Sequence, residues 1–118
     1  MQQTLIVKPR KLPSKLDDMA SKADEAAELL SAMANPVRLL VLCSLVNSEK
    51  SVNELVVSSG VSQSTMSQHL AKMRNLKLVA TRRDAQNIYY SLASDEVKQI
   101  IDTLYGIFCK GSKNAKRD

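Results

Sequence analysis

In SVNELVVSSGVSQSTMSQHLAKM, residues 51–73, two helix-start signals stand close together. Ser51-Val52-Asn53-Glu54 has capping-box spacing: the serine accepts from the amide three residues on while the glutamate reaches back. This predicts a short helix ending at Ser59-Gly60, where Gly60 takes the left-handed conformation common at helix ends. After only Gly60-Val61-Ser62, Ser62 caps a second helix. Met66, Leu70 and Met73 recur there at three- and four-residue steps, the mark of a buried stripe. The rest of its first turns, Gln63, Ser64, Thr65, Ser67, Gln68 and His69, points outward.

A recognition helix needs such side chains, short enough to approach base edges and able to donate or accept. Gln63 and Gln68 suit adenine, and Ser62, Ser64, Thr65 and Ser67 suit bases or phosphates. Lys72, Arg74 and Lys77 follow nearer the backbone, where they add salt-dependent affinity. A merely solvated helix would favour Glu, Lys and Ala over four Ser/Thr residues. His69, the single histidine, suits a phosphate or base contact, or helix packing. A metal role is disfavoured, because no Cys, Asp, Glu or second His lies within four residues of it.

Downstream the period changes. Leu78–Arg83 and Asn87–Leu92 are β-prone runs around Asp84-Ala85-Gln86 and predict a two-stranded hairpin. With Arg82 and Arg83 at one shoulder and Gln86 near the tip, it reads as a wing reaching phosphate or the minor groove. Ser94-Asp95-Glu96 starts a last helix, its acids well placed against the helix dipole. Its stripe is Val97, Ile100, Ile101, Leu104, Ile107 and Phe108. Upstream, Leu16 to Met33 predicts a first helix over Asp17–Met33. Asn35-Pro36 starts a second that runs to about Val46. Residues 1–15 read as a flexible basic arm, 16–110 as the folded domain and 111–118 as a basic tail.

The 118 residues fit one small, mainly α domain, 44% hydrophobic and 25% charged, for which a dimer interface is a natural complement. Aromatics are confined to Tyr89, Tyr90, Tyr105 and Phe108, which suits packed helices. No membrane span is evident, and the N-terminal apolar run is only Leu5-Ile6-Val7, so a cytoplasmic protein is expected. The stretch from Gly60 to Arg83 carries five basic residues and no acid, whereas Asp17 to Glu54 carries seven acids and three bases. This segregation suits one surface made for a polyanion. The two cysteines, Cys43 and Cys109, leave three roles open in a reducing compartment: inert thiol, metal ligand or redox switch. Cys43 lies among Leu40, Leu42 and Leu45, and Cys109 follows Leu104 and Phe108, contexts that suit small buried hydrophobes.

Over residues 23–109 the chain resembles the ArsR/SmtB family of winged helix-turn-helix repressors. The likeness rests on Asn35-Pro36-x-Arg38, on Ser64-x-x-Ser67-x-His69-Leu70, and on the run from Arg83 to Leu92. It implies a winged helix-turn-helix homodimer, its last helix at the dimer interface, bound to double-stranded operator DNA without a cofactor. Metal sensors of this family carry Cys-x-Cys in the third helix or Asp/His ligands in the last. Here the third helix has no cysteine and the last has Asp102 but no histidine, so no metal site is expected. Cys43 in the second helix and Cys109 near the end of the last resemble the dithiol of the BigR/SqrR/YgaV subgroup, with HlyU nearby. That implies a repressor whose two cysteines sense persulfides or polysulfides, sulfur bridging them to release DNA. The alternatives are a metal- or oxidant-responsive regulator of the same fold, or a HlyU-like activator that displaces a silencing protein. An enzyme, such as a thiol oxidoreductase, is disfavoured because there is no Cys-x-x-Cys and no strand-rich α/β pattern.

Overall fold

The structure is a computed structural model that describes residues 14–110. The expected basic tail, and the expected arm up to residue 13, lie outside the described residues. Helix α1 (Ser14–Met33) is followed by α2 (Pro36–Ser44), β1 (Lys50–Ser51), α3 (Val52–Ser59) and α4 (Gln63–Asn75). Then come β2 (Val79–Asp84), β3 (Asn87–Leu92), α5 (Asp95–Tyr105) and a π-helical turn over Gly106–Lys110. The chain divides into two units, one holding α1 up to Ser31 and the other starting at Ala32.

The first unit is an alanine-rich helix with Asp17 in its first turn, complementing the positive end of the dipole. It starts three residues before the sequence suggests, so residues 14 and 15 belong to the helix and not to an arm. An exposed Lys22–Glu25 pair spans one turn at 3.4 Å. Leu16, Met19 and Leu30 remain about half exposed along this helix.

In the second unit each helix start is set by a side chain. Asn35 is extended, and its Oδ1 accepts from the amides of Val37 at 2.9 Å and Arg38 at 3.1 Å, with Pro36 in the first turn. At Ser51 both halves of the capping box form: Glu54 N donates to Ser51 Oγ (3.2 Å) and Ser51 N to Glu54 Oε1 (2.8 Å). Gly60 stops α3 with φ +80°, a conformation that costs a residue with a Cβ. Ser62 and Ser94 cap α4 and α5 by accepting from Thr65 N and Val97 N, each at 3.1 Å. The core is Leu42, Leu45, Leu55, Met66, Leu70 and Met73, joined by Val41, Leu78, Val79, Val97 and Ile101, all nearly inaccessible to solvent. The predicted stripe Met66-Leu70-Met73 is therefore the buried face of α4.

Two expectations change. The predicted two-stranded hairpin forms as β2 and β3, but it does not stand alone: β1 adds to it, giving an antiparallel sheet of order β1-β3-β2. Lys50 pairs with Tyr90 and Ser51 with Tyr89, while β2 runs against β3 from Val79↔Leu92 to Asp84↔Asn87. Two residues are too few for a period to register in sequence; the extended backbone that Ser51 needs as a cap (φ −79°, ψ 165°) also makes it a strand. The last helix, moreover, does not run regularly to Cys109. It becomes π-helical at Gly106, where the missing side chain weakens the α ladder. Val97 and Ile101 are buried as predicted, but Ile107 and Phe108 are exposed, Phe108 at 70%.

Candidate nucleic-acid interface and dithiol

Burying Met66, Leu70 and Met73 turns the opposite side of α4 to solvent. Ser62, Gln63, Ser64, Ser67, Gln68, Lys72 and Arg74 are all exposed, and Thr65 is half-buried. The first turn holds no acid and the last holds Lys72 and Arg74, so polar hydrogen-bonding groups lead and cations follow. Ser62 is partly occupied: its hydroxyl caps Thr65 N, donates to Thr65 Oγ1 at 3.0 Å, and lies 3.3 Å from Ser64 Oγ. Gln63, Ser67 and Gln68 make no side-chain hydrogen bond among the described residues, leaving their donors and acceptors for a partner.

His69 sits differently. It is half-buried, and its Nδ1 lies 3.4 Å from Arg38 Nη1. The Arg38 Nε donates at 2.6 Å to the carbonyl of Ala32 in the last turn of α1. Arg38 thus reaches back six residues to a helix end that has no basic residue of its own, and forward to the recognition helix. The Asn35-Pro36-x-Arg38 signature acquires a physical meaning: asparagine caps one helix while arginine completes the previous one. Sequence reasoning noted the motif but not this role, because neither partner lies within a helical turn of Arg38.

On the sheet the two adjacent arginines have different surroundings. Arg83 is exposed and makes no ion pair among the described residues. Arg82 grips Glu49: Nε lies 3.0 Å from Oε2 and 3.2 Å from Oε1, and Nη2 lies 2.8 Å from Oε1. Its guanidinium is 4.9 Å from the centroid of the Tyr89 ring, and Asp84 stands 4.0 Å away. The Arg82 hydrogen bond holds the Glu49 carboxyl below its usual range, and the same bond raises the Arg82 guanidinium. Sequence reasoning missed Glu49, which carries no local signal 33 residues from its partner. Gln86 is exposed in the two-residue connection, where Ala85 has φ +58°. A two-residue hairpin connection calls for positive φ at its first residue, a position usually served by glycine or asparagine.

Both cysteines are free and exposed, Cys43 on α2 and Cys109 on the π turn. The buried-hydrophobe reading of either is therefore set aside. Cys43 borders a cleft of about 330 Å³ shared with Leu40, Val41, Ser44, Ser58 and Ser59. Although the residue is exposed overall, packing around its thiol removes some water and pushes its pKa up; the charge of Cys109 pushes it the same way. α5, which leads into the π turn, packs on α2, and the charge of Cys109 reaches the Cys43 thiol. No cluster of three or more His, Cys, Asp or Glu suited to a metal ion occurs among the described residues, and no single helix there is long and apolar enough to cross a membrane.

Comparison with known proteins agrees with this architecture. The family "Bacterial regulatory protein, arsR family" matches residues 35–81, from the Asn35 cap into β2. Nodulation protein NolR of Rhizobium meliloti is 53% identical over 96 residues, 81% of this chain and 75% of that protein. Transcriptional activator HlyU of Vibrio cholerae is 44% identical over 101 residues, 86% of this chain and 94% of that one. The crystal structure of the transcriptional repressor BigR from Xylella fastidiosa superposes with a TM-score of 0.75 at 42% identity, covering 79% of this chain and 95% of BigR. The chain belongs to the arsR family and is a transcriptional regulator of ArsR/SmtB type, built as a winged helix-turn-helix.

Proposed function

We propose that the protein is a cytoplasmic, homodimeric repressor that holds operator DNA while Cys43 and Cys109 are reduced and releases it when sulfur bridges them. The observation that carries this reading is the thiol pair: two free, exposed cysteines on packed or contiguous elements, the charge of one opposing ionisation of the other. The inducer is a persulfide or polysulfide. A Cys109 thiolate takes the outer sulfur of a hydropersulfide, expelling a thiolate and becoming Cys109–S–SH. Attack on its Sγ by the Cys43 thiolate then closes a disulfide and expels hydrosulfide. If Cys43 has also acquired a sulfur, the same attack closes a trisulfide. Either link ties α2 to the end of α5. Dimerisation is supported by the half-exposed Leu16, Met19 and Leu30 of α1 and by exposed Tyr105 at the end of α5 and Ile107 just beyond it, apolar faces that a second copy would cover. DNA binding falls to α4 and the wing, where the exposed polar and basic side chains gather.

The experiment is a DNA-binding titration of reduced and persulfide-treated protein, with intact-mass spectrometry on the same samples. Cys43→Ser and Cys109→Ser should each keep DNA binding and lose the response. The treated wild type should lose two hydrogens and gain one sulfur for each bridging atom. Normal release from either variant would refute the dithiol mechanism. HlyU, one relative, is described as an activator, so a second reading gives this protein an activating role; a promoter fusion that loses expression on deletion of the regulator would favour it.

A further inference from the structure

The paired arginines of the wing divide its work. Arg82 on β2 stands in register with Tyr89 on β3, and β1 lies on the far side of β3. Glu49 directly precedes β1. The Arg82 side chain therefore crosses the full width of the sheet, passing over Tyr89 to close a two-pronged contact with Glu49 at 2.8–3.2 Å. Two-pronged guanidinium–carboxylate contacts fix direction as well as charge, and the aromatic face beneath adds an attraction of its own. Arg83, one residue on, points to the other face of the strand and stays exposed.

We infer that Glu49 is a positioning residue for the wing: it holds Arg82 across the sheet, out of reach of phosphate, and leaves Arg83 as the wing's phosphate contact. The inference rests on the reading that α4 and the wing bind DNA. A phosphate seeking Arg82 would have to displace a carboxylate already seated on its fork, whereas Arg83 is open. The clamp also joins the segment before α3 to the hairpin, so it sets where the wing stands relative to the helix-turn-helix.

The salt dependence of binding separates the two arginines, because each cation that neutralises a phosphate adds about 0.9 to the slope of log affinity against log salt. The probe is a labelled duplex that the wild-type protein selects from a random library, titrated over a range of salt. Arg83→Gln should lower the slope by about 0.9 for each phosphate left without its cation, while Arg82→Gln leaves it unchanged. Glu49→Gln frees Arg82 and should raise the slope by about the same amount, and adding Arg82→Gln to it should restore the wild-type slope. A purely structural role for Glu49 would shift affinity without moving the slope. Should Glu49→Gln fail to fold, Arg82→Gln and Arg83→Gln together decide. A slope lowered by Arg82→Gln as much as by Arg83→Gln overturns the assignment. So does an unmoved slope in Arg83→Gln or in folded Glu49→Gln, provided Lys72→Gln and Gln68→Ala in α4 weaken binding. If no duplex is selected, or the α4 variants bind as wild type, the DNA-binding reading falls and this assignment falls with it.

Discussion

Arg38→Met removes the side chain that joins a helix end to the recognition helix, and its cost can be worked from the hydrogen bonds it makes. Arg38 Nε sits 2.6 Å from the Ala32 carbonyl, a short charge-assisted bond to a residue only 1% exposed. The last four carbonyls of a helix lack partners within it, and the final turn of α1 offers no cation of its own. Methionine matches the length of the stem but leaves that carbonyl without its donor and the helix end without its countercharge. Hydrogen bonds to charged groups are worth about 1.5–3 kcal/mol. The longer 3.4 Å approach to His69 adds less. For a domain of this size, about 4–8 °C of melting temperature goes with each kcal/mol, so a fall of about 6–24 °C is expected. Arg38→Lys keeps a charge near the carbonyl but gives up the fixed fork of the guanidinium, and should recover part of the loss. Thermal unfolding followed by far-UV circular dichroism measures both variants. Unchanged melting in Arg38→Met would show that the carbonyl has another partner and would refute the capping role.

Three further outcomes follow from the geometry. In Cys109→Ser the Cys43 thiol should become more acidic, because the opposing charge is gone while the desolvation remains; Cys43 alkylation rate against pH reads it, and an unmoved or upward midpoint refutes the coupling. Ala85→Gly relieves a side chain held at φ +58° and should stabilise the fold by about 0.5–1 kcal/mol after the entropy of glycine in the unfolded chain is counted; a lower melting temperature contradicts the turn assignment. The Glu49 carboxyl is depressed by Arg82. A depressed carboxyl contributes fully above its unfolded value, about 4.3 for glutamate, and its contribution is lost as pH falls through the folded value below that. The Arg82 Nε–H resonance should therefore persist as acid takes the pH through the ordinary glutamate range, and its loss at or above that range counts against the clamp.

What the sequence revealed and what it concealed differ by the reach of the interactions concerned. The caps at Asn35, Ser51, Ser62 and Ser94 and the stop at Gly60 are settled within four residues of themselves, and all were legible. The buried face of α4 was legible for the same reason, since polar residues surround Met66, Leu70 and Met73 and leave a clear period. The interactions that orient the interface are longer: Arg38 to His69 spans 31 residues and Arg82 to Glu49 spans 33, distances over which no pattern repeats. Reading Arg82 as a phosphate contact followed from its charge, and only the fold shows a carboxylate already on it. The cysteines illustrate a different limit. From Val37 to Leu45 α2 is apolar almost all round, so periodicity cannot say which side faces the core. Packing settles it: Val41, Leu42 and Leu45 turn inward, while Leu40 and Cys43, three residues apart on another side, stay exposed. On a helix so largely apolar in sequence, the exposed side is the one without a packing partner among the described residues. That side carries the thiol, so in the proposed homodimer reagents and a second copy of the protein would compete for the same surface. If the proposed dimer covers α2, Cys43 should be alkylated more slowly in concentrated protein than in dilute protein; one rate at both concentrations would refute that placement.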